Sequence, residues 1–185
     1  MRDLDYFNYL RKRSILGLIY RKYYLYPVLQ KQLKGNVLDL GCGVGDYLKF
    51  NRDAIGVDVN KENIKYLNSI NVKAFFMQKD ILPFCDESFS SIIMDNVLEH
   101  IENPDKILKE IQRVLKPNGL FLVGVPGEKG FKSDSDHKVF YDEKKLKSLM
   151  IDNKFNFVKT LVMPIKLSFL SKYLKIFCLY SVFYK

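Results

Sequence analysis

Asn36-Val37-Leu38-Asp39-Leu40-Gly41-Cys42-Gly43-Val44-Gly45-Asp46-Tyr47-Leu48 decides the fold of this chain. Val37, Leu38 and Leu40 make a short apolar run bounded by turn residues, which predicts a strand buried on both faces and therefore a parallel sheet. Gly41, Gly43 and Gly45 alternate through the turn that follows. Lacking a Cβ, they open backbone conformations closed to other residues and let a ligand approach the main chain, so the turn suits a nucleotide-like molecule. In the dinucleotide pattern G-x-G-x-x-G the third glycine falls on Asp46 here. A carboxylate at that point opposes a pyrophosphate, which favours a cofactor without phosphates at the turn and disfavours a nicotinamide dehydrogenase.

Val37 to Gly45 resembles the first motif of the class I S-adenosylmethionine-dependent methyltransferases, and further stretches resemble later motifs of that family in the right order. Ile55-Gly56-Val57-Asp58 reads as a second strand ending in an acid. Ala74 to Met77, followed by Lys79-Asp80-Ile81, resembles the third-strand motif. Ser90 to Ile101 reads as a fourth strand running into a loop like the family's "LEH" motif. Leu108 to Pro126 resembles its helix, turn and fifth strand. Asp136-His137-Lys138-Val139-Phe140-Tyr141 resembles a segment of the quinone-biosynthesis and small-molecule branch. Ser90-Ser91 departs from the pattern where an acid is usual, at a position that does not contact the cofactor. The resemblance covers roughly residues 36 to 150.

It implies an α/β, Rossmann-like, doubly wound and mostly parallel seven-stranded sheet in a single domain, with S-adenosylmethionine as cofactor. Carried over residue by residue, it places Asp39, Gly41, Cys42, Gly43 and Gly45 around the cofactor at the first turn. Asp58, with Val59 beside it, takes the ribose, because a carboxylate can accept from two hydroxyls. Asp80 faces the adenine amino group, Ile81 packs on the ring, and Asp95 and Asn96 close the site after the fourth strand. All of them fall at the carboxyl ends of strands, where an open parallel sheet binds its ligands.

The chain has 185 residues, enough for one domain with a proper core, and 48% hydrophobic with 14% aromatic residues excludes a disordered or fibrous class. Its three cysteines, Cys42, Cys85 and Cys178, are scattered with no C-x-x-C pair, which fits a reducing, cytoplasmic setting and suggests no zinc site. The net charge of +9 is uneven. Residues 1–34 carry eight Lys/Arg against two Asp, and residues 154–185 carry six Lys and no acid, so the middle is mildly acidic.

Residues 1–34 are expected to form a helical lid, helical over 4–33, with Pro27 kinking or restarting the helix. Charges break every apolar run there before it reaches signal-peptide length. Its basic clusters read either as a solvated face or as a phosphate- or membrane-facing surface. Residues 35–185 form the methyltransferase domain, with a divergent end at 154–185. There Phe155 to Met163 alternates as a strand, Ser168, Ser171, Lys172 and Lys175 make a polar stripe on an apolar helix, and Leu179 to Tyr184 reads as the last strand. No apolar run approaches the length that spans a bilayer, so peripheral membrane contact through the basic, apolar ends is the most that the ends suggest.

Methyl transfer from a sulfonium needs alignment above all, and a base only for an acidic acceptor such as a hydroxyl. His137 is the candidate base, since its ordinary pKa suits proton removal near neutrality. His100 reads as structural, and Glu99 beside it as a helix N-terminal acid, with no further metal ligand nearby. Asp95-Asn96-Val97-Leu98 is not the N/D-P-P-Y/F tetrad of amino-methylating enzymes, and the basic ends contain no recognisable nucleic-acid module. The expected acceptor is therefore a small or lipid- or glycan-linked molecule methylated at oxygen. An RNA methyltransferase and a non-catalytic S-adenosylmethionine-binding module are the alternatives.

Overall fold

The computed structural model describes residues 3–11, 14–164, 173–174 and 176–185. The chain runs through α1 (Asp3–Arg11), α2 (Ile15–Tyr20), a π-turn (Arg21–Leu25), α3 (Tyr26–Gln30), β1 (Val37–Leu40), α4 (Asp46–Phe50), β2 (Ile55–Asp58) and α5 (Lys61–Ser69). β3 (Ala74–Phe76), β4 (Phe89–Asp95), a 3-10 turn (Leu98–His100), α6 (Asp105–Val114), β5 (Leu115–Pro126), α7 (Glu128–Phe131), α8 (Glu143–Asp152), β6 (Asn156–Met163) and β7 (Cys178–Tyr184) follow.

The strands form one seven-stranded sheet in the order β3-β2-β1-β4-β5-β7-β6. β1 to β5 pair in parallel, and β7 runs antiparallel to both β5 and β6. This is the doubly wound, Rossmann-like arrangement expected from the sequence. Strand alternation explains why the apolar runs are continuous. Leu38, Leu40, Ile92 and Met94 face α6 and α8, which cover them with Leu108, Ile111 and Leu146. Val37, Ile93 and Leu122 face the other way, toward Leu29 of α3, Leu48 of α4 and Leu67 of α5. Each fully buried aliphatic side chain contributes about 1.5–3 kcal/mol, so neither face can be left uncovered.

The N-terminal segment is divided rather than continuous. Ser14 caps α2 by accepting from the Gly17 amide at 3.1 Å. Pro27 sits in the first turn of α3 and has no N–H to donate, and the turn before it widens so that the Tyr26 amide donates to the Arg21 carbonyl. The expected restart at Pro27 is therefore found. β5 begins at Leu115, which pairs with Phe89, and pairing then resumes at Leu120 with Ser91. Lys116 to Gly119 bulge out between them, with Asn118 at φ 58°. Ser168, Ser171, Lys172 and Lys175, the stripe expected on a tail helix, lie outside the described residues. Among the described residues no helix is long and apolar enough to cross a membrane.

β1 lies between β2 and β4, so the connections leave it toward both edges of the sheet. The crevice beyond its carboxyl end is the topological switch point where such sheets bind ligands.

Candidate active site

A cavity of about 410 Å³ opens at that crevice. Asp39, Gly41, Cys42, Gly43, Asp58, Val59, Asp80, Asp95 and Asn96, all expected from the sequence, line it. Gly45, Ile81 and His137 do not. Gly45 instead holds φ 76° at the start of α4, where a Cβ would lie 2.4 Å from Leu67 Cδ2, so its role is to let α5 pack. Ile81 is exposed beside the cavity.

The glycine turn is shaped by β2. Gly41 and Cys42 donate their amides to the Val57 carbonyl at 2.9 and 3.0 Å, which brings the turn over the end of β2. Asp58 is then clamped between two amides, accepting from Gly43 at 2.8 Å and from Asn60 at 2.7 Å. A carboxylate so fixed keeps lone pairs for further donors, as a ribose diol requires. Lys79 and Asp80 add polar groups to the lining, and Val59, Met77, Met94, Val97 and Ile107 add apolar ones. Polar groups at fixed points in a largely apolar cavity of this size are what a small-molecule site needs, and the set fits S-adenosylmethionine.

Burial and the neighbouring Asp95 and Asp58 hold the Asp39 carboxyl well above the usual range. Burial also pushes the Cys42 thiol up, which suits a packing residue rather than a nucleophile.

Sequence reasoning missed the part played by the N-terminal segment. Leu10, Arg21 and Tyr26 all line the cavity. Arg21 Nη1 donates to Asp95 Oδ2 at 2.8 Å and to the Tyr26 hydroxyl at 3.1 Å. The Tyr180 hydroxyl and Asn96 Nδ2 donate to Asp95 Oδ1 at 2.8 and 2.7 Å. Arg21 is thus a neutralised buried partner, not part of a solvated basic face; a basic cluster in sequence carries no signal of that.

A second cavity of about 370 Å³ adjoins the first, and Leu10, Arg21, Asn96 and His100 border both. His137 lies here, with Glu99, Tyr20 and Asp134. Glu99 lies in the first turn of the 3-10 element, as the sequence suggests, but it is fully buried rather than solvated, and neither carboxylate oxygen has a hydrogen-bond partner. Burial pushes its carboxyl up to about 8. The Tyr20 hydroxyl is buried and likewise unpartnered. Burial and the neighbouring His137 lower His100, so its ring is neutral near pH 7. His100, expected to be structural, therefore borders both cavities, whereas His137 borders only the second.

Residues 38–123 match the family described as a methyltransferase domain. An uncharacterised protein of Methanocaldococcus jannaschii is 37% identical over 115 residues, 62% of this chain and 54% of that protein. The probable tRNA methyltransferase 9B of Homo sapiens is 33% identical over 103 residues, 52% of this chain and 23% of that protein. A sterol 4-C-methyltransferase of Caenorhabditis elegans is 37% identical over 106 residues, 50% of this chain and 32% of that protein. The chain thus spans about half or less of the length of these curated relatives. Among solved structures, a methyltransferase of Thermotoga maritima described as a possible histamine N-methyltransferase superposes with a TM-score of 0.78 at 21% identity, covering 97% of this chain and 98% of that one. The matched segment, a methyltransferase domain, carries the glycine turn, Asp58, Asp80 and Asp95 on the doubly wound sheet just described, and in both sequence and fold it is similar to the S-adenosylmethionine-dependent methyltransferases.

Proposed function

We propose that the chain transfers a methyl group from S-adenosylmethionine in the first cavity to the hydroxyl oxygen of a small or lipid-linked acceptor in the second. The observation that carries this is the second cavity itself, which shares a border with the first and presents the buried Glu99 carboxylate and Tyr20 hydroxyl without protein partners. Buried polar groups of that kind are costly unless a ligand satisfies them. S-adenosylmethionine supplies a methyl on a sulfonium: the acceptor oxygen bonds to that carbon as the carbon–sulfur bond breaks, and sulfur keeps the electron pair. The hydroxyl proton must be drawn off as the oxygen attacks, and Glu99, His100 and His137 are the groups at that wall that can assist this, directly or by holding an ion that acidifies the hydroxyl.

One relative is named as a probable tRNA methyltransferase, and an RNA acceptor is an outcome that the experiment below distinguishes. Ile15 and Leu16 of α2 are exposed close in sequence to Gly17 and Tyr20 at the cavity wall, which supports an acceptor with an apolar tail. On this reading the chain groups with the small-molecule branch.

The test is a cell extract incubated with methyl-labelled S-adenosylmethionine and separated into organic-soluble, small-molecule, polysaccharide, protein and RNA fractions, with Asp58→Ala as control. Label in the organic-soluble or small-molecule fraction, absent with the variant, is the expected outcome. Label in RNA would overturn the acceptor class, and binding without any transfer would favour a non-catalytic module.

A further inference from the structure

We propose that Glu99, His100 and His137 form a binding site for a divalent first-row metal ion at the wall of the second cavity. One ligand atom from each lies within 4.8 Å of the other two. The sequence left Glu99 and His100 without a third partner; the fold supplies it. The Lys138 and Val139 amides donate to the Glu99 carbonyl at 2.8 and 3.0 Å, which pins the segment carrying His137 against the 3-10 turn.

Three observations favour a metal over a satisfied polar cluster. The Glu99 carboxylate is fully buried, and its nearest histidine nitrogen, His137 Nε2, stands 3.8 Å away, beyond a hydrogen bond. His137 Nδ1 is 2.8 Å from the Phe131 carbonyl, which can only accept. A neutral ring must therefore carry its proton on Nδ1, and the Nε2 lone pair faces Glu99. His100 Nδ1 lies 3.5 Å from Asp136 Oδ2, so both rings have the outer oxygen partners that orient metal-bound imidazoles. Two imidazoles and one carboxylate select a nitrogen-tolerant ion such as Mn²⁺, Co²⁺ or Zn²⁺ over Mg²⁺ or Ca²⁺, which prefer oxygen.

Three protein ligands leave coordination positions open toward the cavity. If the second cavity holds the acceptor, on which this functional role rests, the ion takes the acceptor oxygen and lowers the pKa of its hydroxyl. The proton then leaves to solvent water and the oxygen attacks as the alkoxide.

The experiment uses the whole chain after chelator treatment, titrated with Mn²⁺ and followed by the loss of the free-ion electron paramagnetic resonance signal. One equivalent bound per chain is expected, with at least tenfold weaker binding in Glu99→Gln and in His137→Ala, each confirmed as folded by circular dichroism. Ile176→Ala, which borders the cavity outside the cluster, should bind as the native chain does. Substoichiometric binding, or equal binding by the two ligand variants, would overturn the site. Labelled methyl transfer measured in parallel separates the two ideas: stoichiometric Mn²⁺ with transfer unaffected by chelation would refute the acceptor role and leave the metal site standing.

Discussion

Arg21 Nη1 lies 2.8 Å from Asp95 Oδ2, and this one ion pair fastens the N-terminal segment to the end of β4 between the two cavities. Both side chains are largely removed from solvent, so losing one leaves the other as an uncompensated buried charge, at a cost of about 3–5 kcal/mol. Arg21→Met should therefore lower the denaturation midpoint strongly and weaken S-adenosylmethionine binding. Arg21→Met with Asp95→Asn should lose less than Arg21→Met alone, because no buried charge is left unpaired and the amide oxygen still accepts from Tyr180 and Asn96. A double-mutant cycle by chemical denaturation checks this, and additive losses would show that the pair is not coupled.

Asp39 makes cofactor binding depend on pH. In the ligand-free chain its carboxyl is raised by burial first, then by Asp95, Asp58 and Asp46, with Arg21 opposing. The folded state thus keeps a proton that the unfolded state has lost, so the free protein is stabilised below the ordinary carboxylate pKa and loses that contribution as pH rises through the raised value. S-adenosylmethionine carries an ammonium and a sulfonium, and a cation in the cavity favours the ionised carboxylate. Binding should release a proton, and affinity should increase with pH across the same window. Calorimetry in two buffers of different ionisation enthalpy should show that release in the native chain and not in Asp39→Asn.

The parts of this site legible in the sequence are the local ones. Asp58 ends its strand and Gly41, Asp80 and Asn96 follow theirs by at most a few residues, so strand patterning alone carries them to the switch point. Arg21 and the Glu99–His137 pairing were not legible, because each depends on which distant segments the sheet brings together. The Arg21 partner is 74 positions away, and His137 reaches Glu99 only through backbone bonds to the Glu99 carbonyl. Charge counting misread Arg21 for a physical reason: a guanidinium in a basic cluster looks solvated until a buried carboxylate is placed beside it.

Asp58 carries two loads at once, holding the Gly43 and Asn60 amides and offering its oxygens to the cavity. Asp58→Ala should weaken S-adenosylmethionine binding by about 2–3 kcal/mol, roughly a hundredfold, since it removes charge-assisted bonds. Asp58→Asn keeps the shape but can accept at one oxygen only, and should fall between. Titration calorimetry on variants of confirmed fold would show that order; equal affinity in Asp58→Ala and native protein would remove Asp58 from the site.

Gly124 of β5 connects packing to the Asp95 network. A Cβ there would stand 2.3 Å from Cε1 of Tyr180, a separation that requires the ring to move. That ring is fully buried on the neighbouring β7, and its hydroxyl donates to Asp95 Oδ1 at 2.8 Å. In a close-packed interior an added methyl group typically costs about 1–3 kcal/mol. Gly124→Ala should accordingly destabilise the fold by that order and displace the Tyr180 hydroxyl from Asp95. Tyr180→Phe, which removes the hydroxyl without crowding, separates the two effects: it should keep more of the stability than Gly124→Ala while weakening S-adenosylmethionine binding to a similar degree. If Tyr180→Phe binds S-adenosylmethionine as the native chain does, the Tyr180 hydrogen bond serves packing alone and Asp95 is held in place by Arg21.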